Sequence, residues 1–396
     1  MLTFDAADDF DFADPDTLAD PYAAFARLRA RAPLAWHSGL GQYLATSHEA
    51  CSAILRERRL GRIFGPRTPD PDWATFNWLH ADSILDSEPP KHTRLRRLIA
   101  GAFGRGHVQR LAPRIEELAR ALIDEVAGAA EFDIIATLAE PLPVMVIAEL
   151  LGFPEGDLPL LRPWSQAIVK MYEVDRTPLQ DRQAQAACAE FAAYVGDLAT
   201  HRATHPGPDL LTDLVQIRDG SAKLSPQELI ATAVLLLNAG HEASVNGFGN
   251  GMASWLAAGQ PPLAFAEAGA PERLVEEFLR HDSPLQLFER TATAPLDLLG
   301  VHLEPGDRVA VLLGAANRDP AVFANPDTFD PARDPNPHLA FGLGLHFCVG
   351  APLARLEMQT ALQVLLARYP RLELVEADRR PTFVLRGFER LVVRPV

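Results

Sequence analysis

A mainly α-helical fold with small β-sheets is what the sequence predicts, on three observations. From about Asp20 to Gly269 the apolar residues mostly recur at the i, i+3, i+4 spacing of one helix face. Strand-like runs are few and short: Leu34 to Trp36, Tyr43 to Thr46, and a hairpin after Thr291. Pro and Gly punctuate the segments, but no repeat, low-complexity tract or linker divides the chain, so residues 1–396 are expected to form a single domain.

The elements follow in chain order. Arg110-Leu-Ala-Pro-Arg-Ile-Glu-Glu-Leu-Ala-Arg-Ala-Leu-Ile typifies the helical half, with one apolar stripe and one charged face. Leu229 to Leu237 is a longer apolar run, interrupted by Asn238-Ala-Gly-His-Glu-Ala-Ser244. An acid and a hydroxyl inside a buried helix are costly unless paired or used, because they give up their water. Further on, Leu296 to Leu303 and Arg308 to Leu313 are expected to pair around Glu304-Pro-Gly-Asp307, where Pro305-Gly306 suits the centre of a type II turn. Residues 317–347 are rich in Pro, Asn and Asp and lack periodicity; so long an irregular segment between regular elements is usually functional. A helix then opens at Ala351-Pro352, with proline in its first turn.

Composition narrows the function classes. Hydrophobic residues at 48% and charged residues at 22% are those of a soluble globular protein, and no apolar stretch reaches the length of a membrane span. A formal charge of −15 argues against nucleic-acid binding, which needs a cationic surface. The N-terminus carries acids where an export signal needs Lys or Arg, so a cytoplasmic protein is expected. Cys51, Cys188 and Cys348 are far apart, which indicates neither a disulfide framework nor a zinc knuckle.

Cys348 has the most distinctive surroundings. It ends Phe341-Gly-Leu-Gly-Leu-His-Phe-Cys-Val-Gly350, just before a helix N-terminus, where free N–H groups and the helix dipole favour a thiolate. The glycines let the backbone approach a flat ligand. This stretch, continuing through Leu353-Ala-Arg355, resembles the haem-binding signature F-G-x-G-x-H-x-C-x-G-x-x-L-A-R of the bacterial soluble cytochrome P450 family. The resemblance implies that Cys348 is the axial ligand of a haem b, that His346 reaches a propionate, and that Phe341 packs beneath the sulfur, with Gly342 and Gly350 shaping the loop.

Other segments resemble the same family. Glu277-Phe-Leu-Arg280 matches its E-x-x-R element and, with Arg333, its structural triad; Glu276 is the alternative acid. Pro89-Pro-Lys-His-Thr-Arg-Leu-Arg-Arg-Leu looks like the helix that crosses the haem edge, with His92 and Arg96 on one face, and Arg290 is the third expected propionate donor. By position in the family, Phe76, Trp78, Leu79, Ala239, Leu285, Leu287 and Phe288 would line the substrate pocket.

The resemblance therefore implies an oxidoreductase that inserts one oxygen atom from O2 into a small hydrophobic or aromatic molecule. Electrons would come from a separate ferredoxin and its reductase, and the protein is expected to be a monomer. Because the chain is acidic, Arg94, Arg97, Arg105 and Arg355 are expected to form a basic docking patch on the cysteine side. Alternatives are a peroxide-using or substrate-assisted member of the family, or a haem-thiolate protein that binds a ligand without turnover.

Against this family the interrupted helix gains a meaning. Ala239-Gly-His-Glu-Ala-Ser244 aligns with A-G-x-[DE]-T-[TS], so Gly240 would make room for O2 and Glu242 would be the acid of the acid–alcohol pair that delivers protons. The alcohol is missing, because position 243 is alanine. Glu242 acting with Ser244 and a water is the expected replacement, and a substrate hydroxyl is the second choice.

Overall fold

The computed structural model describes residues 4–12, 14–174, 176–217, 223–260 and 269–396. Its helices run, in chain order, α1 Pro15–Ala19, α2 Tyr22–Arg31, α3 His48–Arg56, α4 Asp70–Ala81, α5 Lys91–Ile99, α6 Arg105–Gln109, α7 Ala112–Asp124, α8 Pro141–Leu151, α9 Leu158–Val169, α10 Pro178–Thr204, α11 Leu210–Gln216, α12 Pro226–Ala257, α13 Ala270–His281, α14 Leu313–Ala316 and α15 Ala351–Arg368. Among the described residues no helix is long and apolar enough to cross a membrane.

Helix α12 is the central column. A capping box starts it: the Ser225 hydroxyl accepts from the Glu228 N–H at 3.1 Å, the Glu228 carboxylate accepts from the Ser225 N–H at 2.9 Å, and Pro226 occupies the first turn. Such a cap is worth about 1 kcal/mol. The rest of the stability comes from burial, since α12 is enclosed by α8, α9, α10, α13 and α15 and most of its side chains are out of water.

Among the described residues ten strands make three sheets. β1 Leu34–His37, β2 Gln42–Ala45, β3 Leu60–Gly61, β5 Leu287–Ala292 and β8 Arg308–Leu312 form one in the order β1-β2-β8-β5-β3, with only β2 and β8 parallel. β4 Phe132–Asp133, β9 Leu372–Arg379 and β10 Phe388–Pro395 form the second. The third corrects an expectation. β6 Leu296–Leu298 pairs with β7 Val301–Leu303, so the stretch 296–303 is itself a hairpin and does not pair with β8. The reason is local: Leu299 and Gly300 both adopt positive φ, +52° and +83°, as a two-residue primed turn requires. The Pro305-Gly306 turn forms as well, but the Gly306 N–H donates to the Ala292 carbonyl and β8 is handed to β5.

Candidate functional site

Cys348 is held in a rigid loop. Its N–H donates to the Phe341 carbonyl at 3.0 Å, and the Phe347 N–H donates to the Gly344 carbonyl at 3.2 Å, just before α15 begins at Ala351. Gly344 is required there, since φ is +71° and a Cβ would stand 2.6 Å from the Leu55 carbonyl oxygen. Phe341 is stacked under the Arg355 guanidinium at 4.4 Å, and Arg355 is fixed by two bonds to Glu276, at 2.6 and 2.8 Å. Cys51 and Cys188 are buried, whereas Cys348 is exposed. Burial pushes its thiol up, while the Gly350 and Ala351 N–H groups at the helix start pull it down.

Beside this loop lies a cluster of basic side chains, His92, Arg96, Arg290 and His346. His92 is buried on α5 and both of its ring nitrogens lack a hydrogen-bond partner. Burial, then the neighbouring His346 and Arg96, push it down to about 4; the His92 and His346 rings are 4.4 Å apart. Arg290 on β5 is 2% exposed, bonds only the adjacent Glu289 carbonyl and lies over the Phe288 ring. Having no ion pair among the described residues, it is pushed down to about 9 by burial and by Arg62. Arg96 donates to the Leu345 and Phe347 carbonyls and so also braces the cysteine loop. His346 donates to Glu88 at 2.8 Å. A buried guanidinium without a counter-charge, beside a buried imidazole whose two nitrogens lack partners, fits a dianionic edge, as two haem propionates would present.

Glu88 is a member of this cluster that the sequence reading missed. Its carboxylate accepts from His346 and from the Arg62 N–H, and its only sequence signal is its place immediately before Pro89-Pro90.

Glu277, Arg280 and Arg333 meet behind the loop. Arg280 binds Glu277 through two bonds of 2.7 Å, Arg333 reaches the same carboxylate at 3.2 Å, and both Glu277 and Arg280 are fully buried. Arg280 also donates to the Asn317, Pro326 and Thr328 carbonyls, so an irregular segment without a ladder of its own hangs on one ion cluster. Glu276 points elsewhere, to Arg355 and His338.

On α12 the few positions open to space between Ala231 and Ala253 are Leu235, Ala239, Gly240 and Ala243. Leu235, Ala239 and Ala243 recur every four residues and make one stripe of small and apolar surface. A Cβ on Gly240 would meet Ile147 of α8 at an ordinary 3.6 Å, so packing alone does not demand glycine there. Glu242 and Ser244 flank Ala243, and helix geometry turns them roughly 200° apart. Glu242 accepts from Arg380 at 2.8 Å. Ser244 instead lines a small cavity on the other side with Phe248 and with Glu357 and Met358 of α15. This corrects the expected Glu242–Ser244 partnership: the two side chains leave the helix in nearly opposite directions. Glu357, also missed, is 4% exposed, and burial alone raises its carboxyl well above the usual range. An acid four residues from Leu353 and from Ala361 on a buried face was the available signal.

The expected pocket residues divide. Leu285 and Phe288 are partly open, and Trp78 borders an open recess of about 520 Å³ with Asp82, Pro226, Gln227 and Ile230. Phe76 and Leu79 are core residues, Phe76 stacking on His80 with ring centroids 3.9 Å apart, and Leu287 is buried with Phe10, Phe25 and Phe383. Alternation along β5 sends Leu287 to the face opposite Phe288 and Arg290. The expected docking patch is also revised. Arg94 is paired with Glu228 and Arg355 with Glu276, so neither is an unpaired cation; Arg97 is exposed on α5, and the Arg105 side chain lies outside the described residues.

Comparison with known proteins places these residues in a family context. The family model described as cytochrome P450 matches residues 272–395. The biotin biosynthesis cytochrome P450 of Bacillus subtilis is 36% identical, over 96% of this chain and 98% of its own length. The cytochrome P450 monooxygenase PikC of Streptomyces venezuelae is 37% identical, over 96% of this chain and 92% of its own. The crystal structure of P450BioI, in complex with an acyl carrier protein ligated to hexadec-9Z-enoic acid, superposes with a TM-score of 0.92 at 35% identity, covering 96% of this chain and 100% of that one.

Proposed function

The chain belongs to the cytochrome P450 family and is a P450 oxidoreductase; on that premise we propose that it is a haem b monooxygenase with Cys348 as the axial ligand. The observation that carries the assignment is an open thiol at a helix start beside buried, unpaired His92 and Arg290. Haem, when bound, supplies the electron-accepting and oxygen-activating chemistry. His92, Arg290 and His346 would hold its propionates, Phe341 would pack under the sulfur, and Arg96 would keep the loop carbonyls in place. Residues 1–396 are taken as one such domain, monomeric and cytoplasmic, with electrons from a separate ferredoxin and its reductase. The substrate would be a small hydrophobic or aromatic molecule resting against Ala239, Leu285 and Phe288.

Proton supply is where this chain would need its own solution. Ala243 offers no hydroxyl, Glu242 is engaged by Arg380, and Ser244 opens toward Glu357. Glu357 keeps its proton because burial favours the neutral acid, so it can donate to Ser244 Oγ through one water, and Ser244 can pass a proton toward the face that carries Ala243. A substrate hydroxyl beside Ala243 would complete the path, which favours substrate assistance over peroxide use.

The assignment is tested by the absorption band of the reduced carbon monoxide complex, in wild type and in Cys348→Ala. A thiolate band that survives the substitution would overturn it.

A further inference from the structure

Three consecutive backbone N–H groups converge on one buried carboxylate. Glu173 follows the turn Lys170–Tyr172 at the end of α9 and is 8% exposed. Its Oε2 accepts from Phe383 at 3.1 Å and Val384 at 3.0 Å, and its Oε1 accepts from Leu385 at 2.8 Å. These amides belong to the turn of residues 380–387 between β9 and β10, and amides pointing out of a turn have no ladder to join. The same short segment ties a second wall: Tyr172 OH meets His80 of α4 at 3.3 Å, and the Met171 carbonyl accepts from Arg67 at 2.9 Å.

The 380–387 turn is caught between the approach to β5 and α12. The Gln286 N–H donates to the Val384 carbonyl and the Arg386 N–H to the Pro284 carbonyl, both at 2.9 Å. Arg380 at its base holds Glu242, and Gly387 lies so close to Asn246 of α12 that any Cβ would collide. Phe383 and Val384 are sunk in the core with Leu287, whereas Leu385 is partly open and stands opposite the partly open Leu285 across an isolated antiparallel bridge.

We propose that Glu173 is a positioning residue for the substrate pocket, its carboxylate fixing the 383–385 backbone so that Leu385 stands beside Leu285 as one wall. This rests on the reading above that Leu285 faces the substrate. A carboxylate suits the task because its two oxygens offer enough lone pairs for three donors. Glutamine has one acceptor oxygen and brings an NH2 group against donors, so Glu173→Gln removes the clamp with little change in volume.

The test uses the holoenzyme in two measurements. Amide hydrogen exchange at residues 383–385 reports the clamp, and association of imidazole and of the bulkier phenylimidazole with the haem iron, followed by absorption, reports the wall. In Glu173→Gln, exchange at 383–385 rises roughly tenfold, as expected for loss of charge-assisted hydrogen bonds. Phenylimidazole association accelerates by a similar factor while imidazole association is unchanged. Unchanged exchange, or faster exchange with an unchanged phenylimidazole rate, overturns the proposal. Wild-type protein that binds neither azole would instead refute the haem-thiolate reading itself.

Discussion

Replacing Glu277 by alanine removes the acceptor that Arg280 and Arg333 share. In the native protein Glu277 and Arg280 are fully buried and joined by two bonds of 2.7 Å, with Arg333 added at 3.2 Å and the Asn336 side-chain amide also at 3.2 Å. The substitution leaves the Arg280 guanidinium buried without its carboxylate, for which about 3–5 kcal/mol is the usual cost, and takes a partner from the half-buried Arg333. The upper half of that range is expected, because Arg280 cannot swing to water. It is fully buried and bound to the Asn317, Pro326 and Thr328 carbonyls. Out of a total stability of about 5–15 kcal/mol, a loss near 4 kcal/mol lowers the folded-to-unfolded ratio about a thousandfold. Urea titration followed by far-ultraviolet circular dichroism measures the loss, and haem absorption in the same titration shows whether the 317–347 segment lets go first. Glu277→Gln, which keeps one acceptor oxygen, should fall between alanine and wild type. A cost below about 1 kcal/mol for alanine would refute the reasoning, since it would place this cluster among surface ion pairs.

Three other outcomes follow from the site. Because the Glu357 pKa is raised in the folded state, that state binds the proton more tightly and stability declines as pH rises above the ordinary carboxylate value of 4.5. Glu357→Gln should therefore be more stable than wild type at neutral pH and converge with it in acid, as pH-dependent urea midpoints would show. Arg290→Met removes a buried cation that lacks a partner until haem arrives, so it should stabilise apoprotein yet weaken haem affinity by about tenfold or more, measured by thermal melting and by haem transfer to apomyoglobin. Ser244→Ala should cut product formed per electron consumed by about a hundredfold, the lower end for loss of a general acid–base group, while Ala243→Thr should raise it; unchanged coupling in both would remove the hydroxyl from the proton path.

Helical periodicity, the strands at Leu34 and Tyr43, the helix opened by Pro352 and the cysteine loop were legible in the sequence because each is dictated within a few residues. The i, i+3 spacing likewise puts Glu277 and Arg280 on one helix face, where an ion pair can form, and helix geometry separates Glu277 from Glu276. Two kinds of information were absent. Strand partners depend on chain segments far apart, so β8 joining β5 in place of its nearer neighbour could not be read from 296–313. Side-chain partners across elements were equally hidden. Arg380 reaching Glu242 spans 138 residues, and Glu357 lining the same small cavity as Ser244 depends on how α15 crosses α12. The sequence by itself determined which residue types stand on each face of a helix, because backbone geometry fixes that locally. Only tertiary packing decided which of them touch, and so turned Glu242 toward an arginine and set Ser244 in a small cavity that a buried acid also lines.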